Sequence, residues 1–553
     1  MKKVTSFVLV FLIVLAGGCI ETPDKNTSSE TKSPTTTPMP EQELTPTSVS
    51  LSDRVYVEID PRIELIAVIY RLSDVKWYRE EVDPARLGMT PEVYEYLRDV
   101  DKYFGPYMDM KAVKMVPEMV EEGLEYDAIP EFAIHLSLKD FSKAMSWDDM
   151  LELRPFLNTE KLDEFVEAVS EFANKTDFWK FYREHEEFYN QTLEKFVMDN
   201  PGLVELVKFE ENFFGKNASS WHIVPMPLFC RHGFGYHVKS GDNVTVYAFL
   251  GFGKVDVGVP HFYATAGGST FLAHEFAHSF VNPAVDKYYE LFKPYEALFT
   301  PVAEKLRAMA YSNFKVMLYE TFVRAFEAYY LNATGNPEMA SRLINSNEKA
   351  FYFIEDVYRA YANDYSKNRD KYKTFEDFMP ELARVIERVY NETDGGKNVI
   401  ISPTVEDFLL KAMKAGGAVV AYEEVPSAER LAQFIYNALK NSGEVEMKPI
   451  SELTAKDKEK NLALVLLSNS TLLPELQEKA PVVVNGTTAY SRESEKTYSG
   501  SLRVLEVVEN PWNPEALAFV VIGTDKRALN SIHAYNSLTY SIRDSSDNLL
   551  ESG

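Results

Sequence analysis

The stretch FLAHEFAHSF, beginning at Phe271, constrains this chain more than any other. Phe271, Leu272, Phe276, Ala277 and Phe280 are helix-compatible apolar residues, and they surround His274, Glu275 and His278. Residues four apart share one face of a helix, so the two imidazoles can point at a single ion. Glu275 sits beside the first of them and can reach water on that ion. Such a triplet is costly to bury unless it is paired or metal-bound. The HExxH pattern therefore reads as two neutral histidine ligands for zinc and a carboxylate general base. With nine histidines in the chain, the three fixed positions arise by chance about 0.01–0.02 times.

Two histidines leave zinc short of a third protein ligand. In LYETFVRAFEAYY, Glu320, Arg324 and Glu327 recur at four and then three residues, which places them on one helical face. Glu320 is the expected ligand and Glu327 the reserve, with Glu290, Glu296 and Glu304 behind them. Arg324 is expected to pair with the carboxylate left off the metal or to contact substrate. His222, His232, His237 and His261 cluster just before the HExxH helix. A histidine lining the same cleft can donate to a developing oxyanion. His237 is placed in that role, with His232 and His261 as alternatives. Cys230, next to Arg231, shows no feature of an activated thiolate.

The N-terminus reads as an export signal. Lys2 and Lys3 precede an apolar run from Phe7 to Ala16, and Gly17 and Gly18 lead into Cys19. Residues 1–18 are expected to be removed and Cys19 lipidated, leaving a lipid-anchored chain on the extracellular face of the cell membrane. Residues 19–50 are rich in Thr, Pro, Ser, Glu and Lys and read as a disordered tether. Only two cysteines occur in all, so no disulfide scaffold is expected. The formal net charge of -26 argues against a nucleic-acid partner.

Order is expected from near Val55, with a strand running into Pro61 and a helix carrying Glu64. A mainly helical body follows, including one long helix from Lys161 to Lys195. Short apolar runs between Trp221 and His261 predict a small antiparallel sheet, with Val244 to Gly251 as an edge strand able to hold a peptide. Asn282 and Pro283 are expected to break the HExxH helix. Two sequons, Asn217-Ala218-Ser219 and Asn243-Val244-Thr245, suit exposed loops. After Asp394 to Lys397, strands such as LALVLLSN and LAFVVIGTD alternate with helices, the last at Lys526 to Tyr535. That alternation predicts a small, mainly parallel α/β domain over 394–553. The fold class is thus α+β: a mainly helical domain over 51–393 with a small antiparallel sheet, then a small α/β domain.

The phrases VEIDPRIELIAVI, HEFAHSFVNP and YETFVRAFEAYY together resemble an uncharacterised bacterial and archaeal group, the domain of unknown function 4932, over about Val55 to Tyr390. That group is similar to zinc metallopeptidases of the gluzincin kind. The resemblance implies a zincin-like metallopeptidase domain, with His274 and His278 as metal ligands, Glu275 as general base and Glu320 as the later ligand. Zinc-dependent hydrolysis of peptides or envelope proteins at the cell surface is the expected function. The competing expectation is a surface binding or structural lipoprotein that holds zinc without catalysis.

Overall fold

The computed structural model describes residues 45–81, 94–230, 233–241, 243–256, 258–265, 268–309, 311–399, 402–440, 443–478, 480–534 and 538–553. The expected signal peptide, Cys19 and His232 lie outside the described residues. Among those residues no helix is long and apolar enough to cross a membrane.

The chain is a mixed α/β protein whose buried apolar residues fall into separate sets. One core runs from Val55 to Val389, and two others line the faces of a sheet beyond residue 400. The first core is built on a five-stranded sheet of β1 (Thr47–Ser52), β2 (Val55–Ile59), β3 (Ser220–Cys230), β4 (Gly233–Ser240) and β5 (Asn243–Phe252). Their order is β1-β2-β3-β5-β4. The sheet is mixed, not antiparallel as expected, because β2 with β3 and β3 with β5 run parallel. A parallel pair needs a long crossover, and here the chain between Ile59 and Ser220, whose described part is mostly helical, supplies it. The tether expectation is also shortened: β1 begins at Thr47 and pairs antiparallel with β2, from Thr47 against Ile59.

Helix α1 (Pro61–Leu72) starts where Pro61 fixes the first turn and Asp60 accepts the Arg62 N–H at 2.8 Å. Ten of its residues are buried, so it is a core helix rather than a surface one. The expected helix from Lys161 to Lys195 is three pieces, Thr159–Thr176, Phe178–Glu184 and Glu186–Asp199. Asp177 breaks the run with φ of 50°, in the left-handed region.

The HExxH helix, α2 (Phe271–Tyr288), lies against this sheet, with Phe276 4.7 Å from the buried Trp221 ring of β3. It passes through Asn282 and Pro283 without ending there. An interior proline costs about 3 kcal/mol, and the burial of Val281, Ala284 and Val285 around it offsets that cost. Helix α3 (Phe314–Ala333) carries Glu320 to Glu327; Asn313 caps it by accepting the Val316 N–H at 3.1 Å.

The edge strand is β4, because β5 is paired on both sides. Two glycines let β4 approach α2. A Cβ on Gly235 would stand 2.0 Å from the Glu275 carbonyl oxygen, and one on Gly233 would enter the Phe271 ring.

The C-terminal sheet has seven strands: β6 (Gly417–Tyr422), β7 (Glu444–Pro449), β8 (Leu462–Leu467), β9 (Leu502–Glu509), β10 (Leu517–Gly523), β11 (Tyr540–Asp544) and β12 (Leu549–Ser552). Strands β7, β6, β8 and β10 run parallel, while β9, β11 and β12 add antiparallel pairs. The domain is therefore half parallel, not mainly so. Helices Val405–Lys414 and Pro426–Leu439 cover one face. A second, three-stranded sheet covers the other. No helix forms at Lys526 to Tyr535 among the described residues; Asn530 and Ser531 there accept from the Arg503 guanidinium instead. The two units meet across a polar seam in which Lys305 reaches Asp407 at 3.1 Å and Lys349 reaches Thr539.

Candidate metal centre

Helix α2 presents His274 and His278 one turn apart, with their Nε2 atoms 3.1 Å from each other. Helix α3 crosses beside it and adds Glu320, whose Oε2 is 3.7 Å from His274 Nε2 and whose Oε1 is 3.6 Å from His278 Nε2. Ligand atoms at zinc bond lengths in a tetrahedron stand about 3.3–3.6 Å apart, so the three separations suit one ion.

The surrounding hydrogen bonds decide what the two Nε2 atoms are. His274 Nδ1 lies 2.9 Å from Glu327 Oε2, and His278 Nδ1 lies 3.1 Å from Asn282 Oδ1. Both partners are acceptors, which assigns the ring hydrogens to Nδ1. Both Nε2 atoms and the Glu320 carboxylate then face one small space. Positive charge there, whether a proton on His274 or a metal ion in its place, holds such a donor set together, and the residues fit a divalent metal.

Charge in the cluster follows. Burial disfavours charge on His274, but Glu327 and Glu320 outweigh it and lift its pKa to about 9. His278 is lowered, chiefly by burial. Burial pushes Glu320 upward, yet Arg324, His278 and His274 hold it below the usual carboxylate range. Glu327 is likewise held low against burial, by His274 first. Glu275 is raised to about 7, mainly by burial, with His274 and the Gly235 N–H pulling it down and Glu320 and Glu327 pushing it up. A carboxylate poised near neutrality can take a proton from water.

The structure brings His274, His278 and Glu320 together, with Glu275 in the same charged cluster. Glu327 falls behind His274 and orients its ring, with Thr270 donating to the other carboxylate oxygen at 2.5 Å. Glu290, Glu296 and Glu304 bond to Lys293, Tyr289 and Lys414. Arg324 departs from expectation. It donates to Glu320 itself at 3.0 Å and to Tyr311 Oη at 3.2 Å, with its guanidinium over the Phe351 ring. Its place is against the Glu320 carboxylate itself.

His237 follows Gly235 on the same side of β4 but makes no hydrogen bond to the cluster. Burial first, then Lys239, lowers its pKa to about 4. His222 alternates with Trp221 and so faces away from α2; it stacks between Tyr56 and Tyr247 and bonds to Glu58. His261 is held by Asp199 at 2.9 Å. Asn282, Thr270 and Tyr311 were not expected at the site. Asn282 stands four residues after His278, and that spacing alone could have found it.

No curated protein and no solved structure matches this chain. The family model described as Domain of unknown function (DUF4932) matches residues 55–385, a span that contains the whole metal cluster, and the chain belongs to that family.

Proposed function

We propose that this protein is a zinc-dependent hydrolase of peptide bonds, anchored through Cys19 at the outer face of the cell membrane. The observation that carries the reading is the convergence of both Nε2 atoms and Glu320, each backed by its own partner. His274, His278 and Glu320 would hold the metal. When bound, zinc supplies Lewis-acid polarisation of a carbonyl and acidifies water.

The chain's own residues do the rest. Glu275 accepts a proton from water and returns it to the leaving amine. Glu327 and Asn282 keep the imidazoles in the ligating tautomer, and Arg324 holds Glu320 ionised. Strand β4 is the last strand of its sheet among the described residues and runs past the Glu275 backbone, and an extended peptide can add to such an outer strand through main-chain hydrogen bonds. A mixed sheet with its antiparallel edge along the HExxH helix suits the zincin-like fold that the gluzincin resemblance implies.

The test is elemental analysis of the purified full chain together with mass-spectrometric screening of a broad peptide library. Stoichiometric zinc and cleavage that disappears in Glu275→Gln support the proposal. Zinc without cleavage in the wild type moves the protein to the non-catalytic surface reading, and absence of bound zinc defeats both.

A further inference from the structure

Nine Asn-x-Ser/Thr sequons occur in the chain, at Asn26, Asn174, Asn190, Asn217, Asn243, Asn332, Asn391, Asn469 and Asn485. Roughly three would arise by chance from this composition. Asn26 lies outside the described residues. The other eight are all exposed.

Their hydrogen bonding contrasts with that of nine of the seventeen described asparagines outside sequons. Asn200, Asn313, Asn336, Asn347, Asn368, Asn510, Asn513, Asn530 and Asn548 all donate through Nδ2 to fix a cap, turn or loop. None of the eight sequon asparagines donates through Nδ2 to a described residue. Even Asn243, which has a partner, uses only its oxygen, accepting from Ser219 at 3.1 Å. Exposed amide nitrogens with no structural duty are what a modifying enzyme needs.

The hydroxyl residue, two places after the asparagine, divides the eight. Asn174, Asn190, Asn332 and Asn391 are helical. Three of their threonines, Thr176, Thr334 and Thr393, turn back onto carbonyls four residues earlier, and Thr192 is fully buried. Asn217 precedes β3, Asn243 opens β5 at the β4 hairpin, Asn469 lies in a turn after β8, and Asn485 leads into a tight hairpin with Thr488. Ser219, Thr471 and Thr487 in this second group are exposed.

We infer that the folded protein carries N-linked glycans at Asn217, Asn243, Asn469 and Asn485, and not at the four helical sequons. The transfer joins the side-chain nitrogen to the anomeric carbon of a polyprenyl-phosphate-linked oligosaccharide. The bond from that carbon to the phosphate oxygen breaks, the lipid phosphate leaves with the electron pair, and the amide gives up one proton. This inference requires export of the chain but not hydrolytic activity, so its readout is independent of metal and turnover.

The experiment is glycopeptide mass spectrometry on the full chain isolated from membranes of the cells that make it. Peptides containing the four turn and loop asparagines should carry saccharide mass, while those containing Asn174, Asn190, Asn332 and Asn391 should not. Asn485→Gln should remove one step of gel mobility, and Thr487→Val, which keeps the asparagine, should remove the same step. Recovery of all eight sites unmodified overturns the inference, and so does equal occupancy of the helical set.

Discussion

Glu320 beside the paired histidines and Glu506 in the C-terminal sheet are both buried carboxylates, 7 % and 1 % exposed, yet they are held in opposite charge states. Glu320 has Arg324 and two imidazoles around it, which together overcome burial and keep it ionised. Glu506 shares the face of β9 that carries Val504 and Val508, packed under the smaller sheet. It accepts one N–H, from Val482 at 3.2 Å, and its Oε1 has no partner among the described residues. Burial raises its pKa to about 8. Burial of an acidic side chain therefore says little about function. A charge maintained against burial, by groups that also face an open donor set, is the informative observation.

The same Glu→Gln change at four positions turns this contrast into graded outcomes. The largest belongs to Glu320→Gln, which removes a ligand charge and leaves Arg324 without its closest counter-ion. Zinc affinity should fall by about 10³-fold or more, and folding stability by about 3 kcal/mol; equilibrium dialysis and denaturant titration read the two. Unchanged zinc content would remove Glu320 from the ligand set.

Next in size is Glu275→Gln. Zinc should stay stoichiometric while peptide hydrolysis drops by about 10²–10⁴-fold, as a steady-state assay on any library hit would measure. Loss of zinc with the activity would mean that Glu275 supports the metal rather than the proton transfer. Glu327→Gln comes third. Glutamine can still accept from His274 Nδ1, but without the full negative charge, so zinc binding should weaken by about 10–100-fold. An effect as large as that of Glu320→Gln would instead make Glu327 a ligand.

How much of this was legible beforehand depends on which link of the chain of causes is involved. His274, His278, Glu275 and Glu320 were visible because helical spacing alone places such residues on shared faces. Whether Glu320 or Glu327 lies beside the two Nε2 atoms was not, because both share one face and only the crossing of α3 over α2 separates them. Asn282 was hidden by its neighbour: Pro283 signals a helix end, and only the packing around Val281 and Val285 overrides it. The sheets were legible as strands but not as directions. Short apolar runs carry no record of which way a neighbour runs, and β2 finds β3 only after a helical crossover. In the C-terminal domain, the helix expected after Asp525 yields to side chains that bond Arg503 instead.

Glu506→Gln completes the series, with no expected effect on zinc content or hydrolysis. Its effect is on pH dependence alone. The Glu506 pKa in the folded chain is raised to about 8 from the ordinary carboxyl value of 4.5. Between those values the folded state keeps a proton that the unfolded chain has released. Stability then falls as pH rises through this window, since the state binding more protons is disfavoured by their removal. Glutamine is neutral throughout and occupies the same volume, so the variant lacks this contribution. Relative to wild type it should gain stability from pH 5 towards pH 8, by on the order of 1–3 kcal/mol, in denaturant melts of the C-terminal transition. A difference that is flat with pH would mean that Glu506 is ionised in the folded protein, and the contrast with Glu320 would fail.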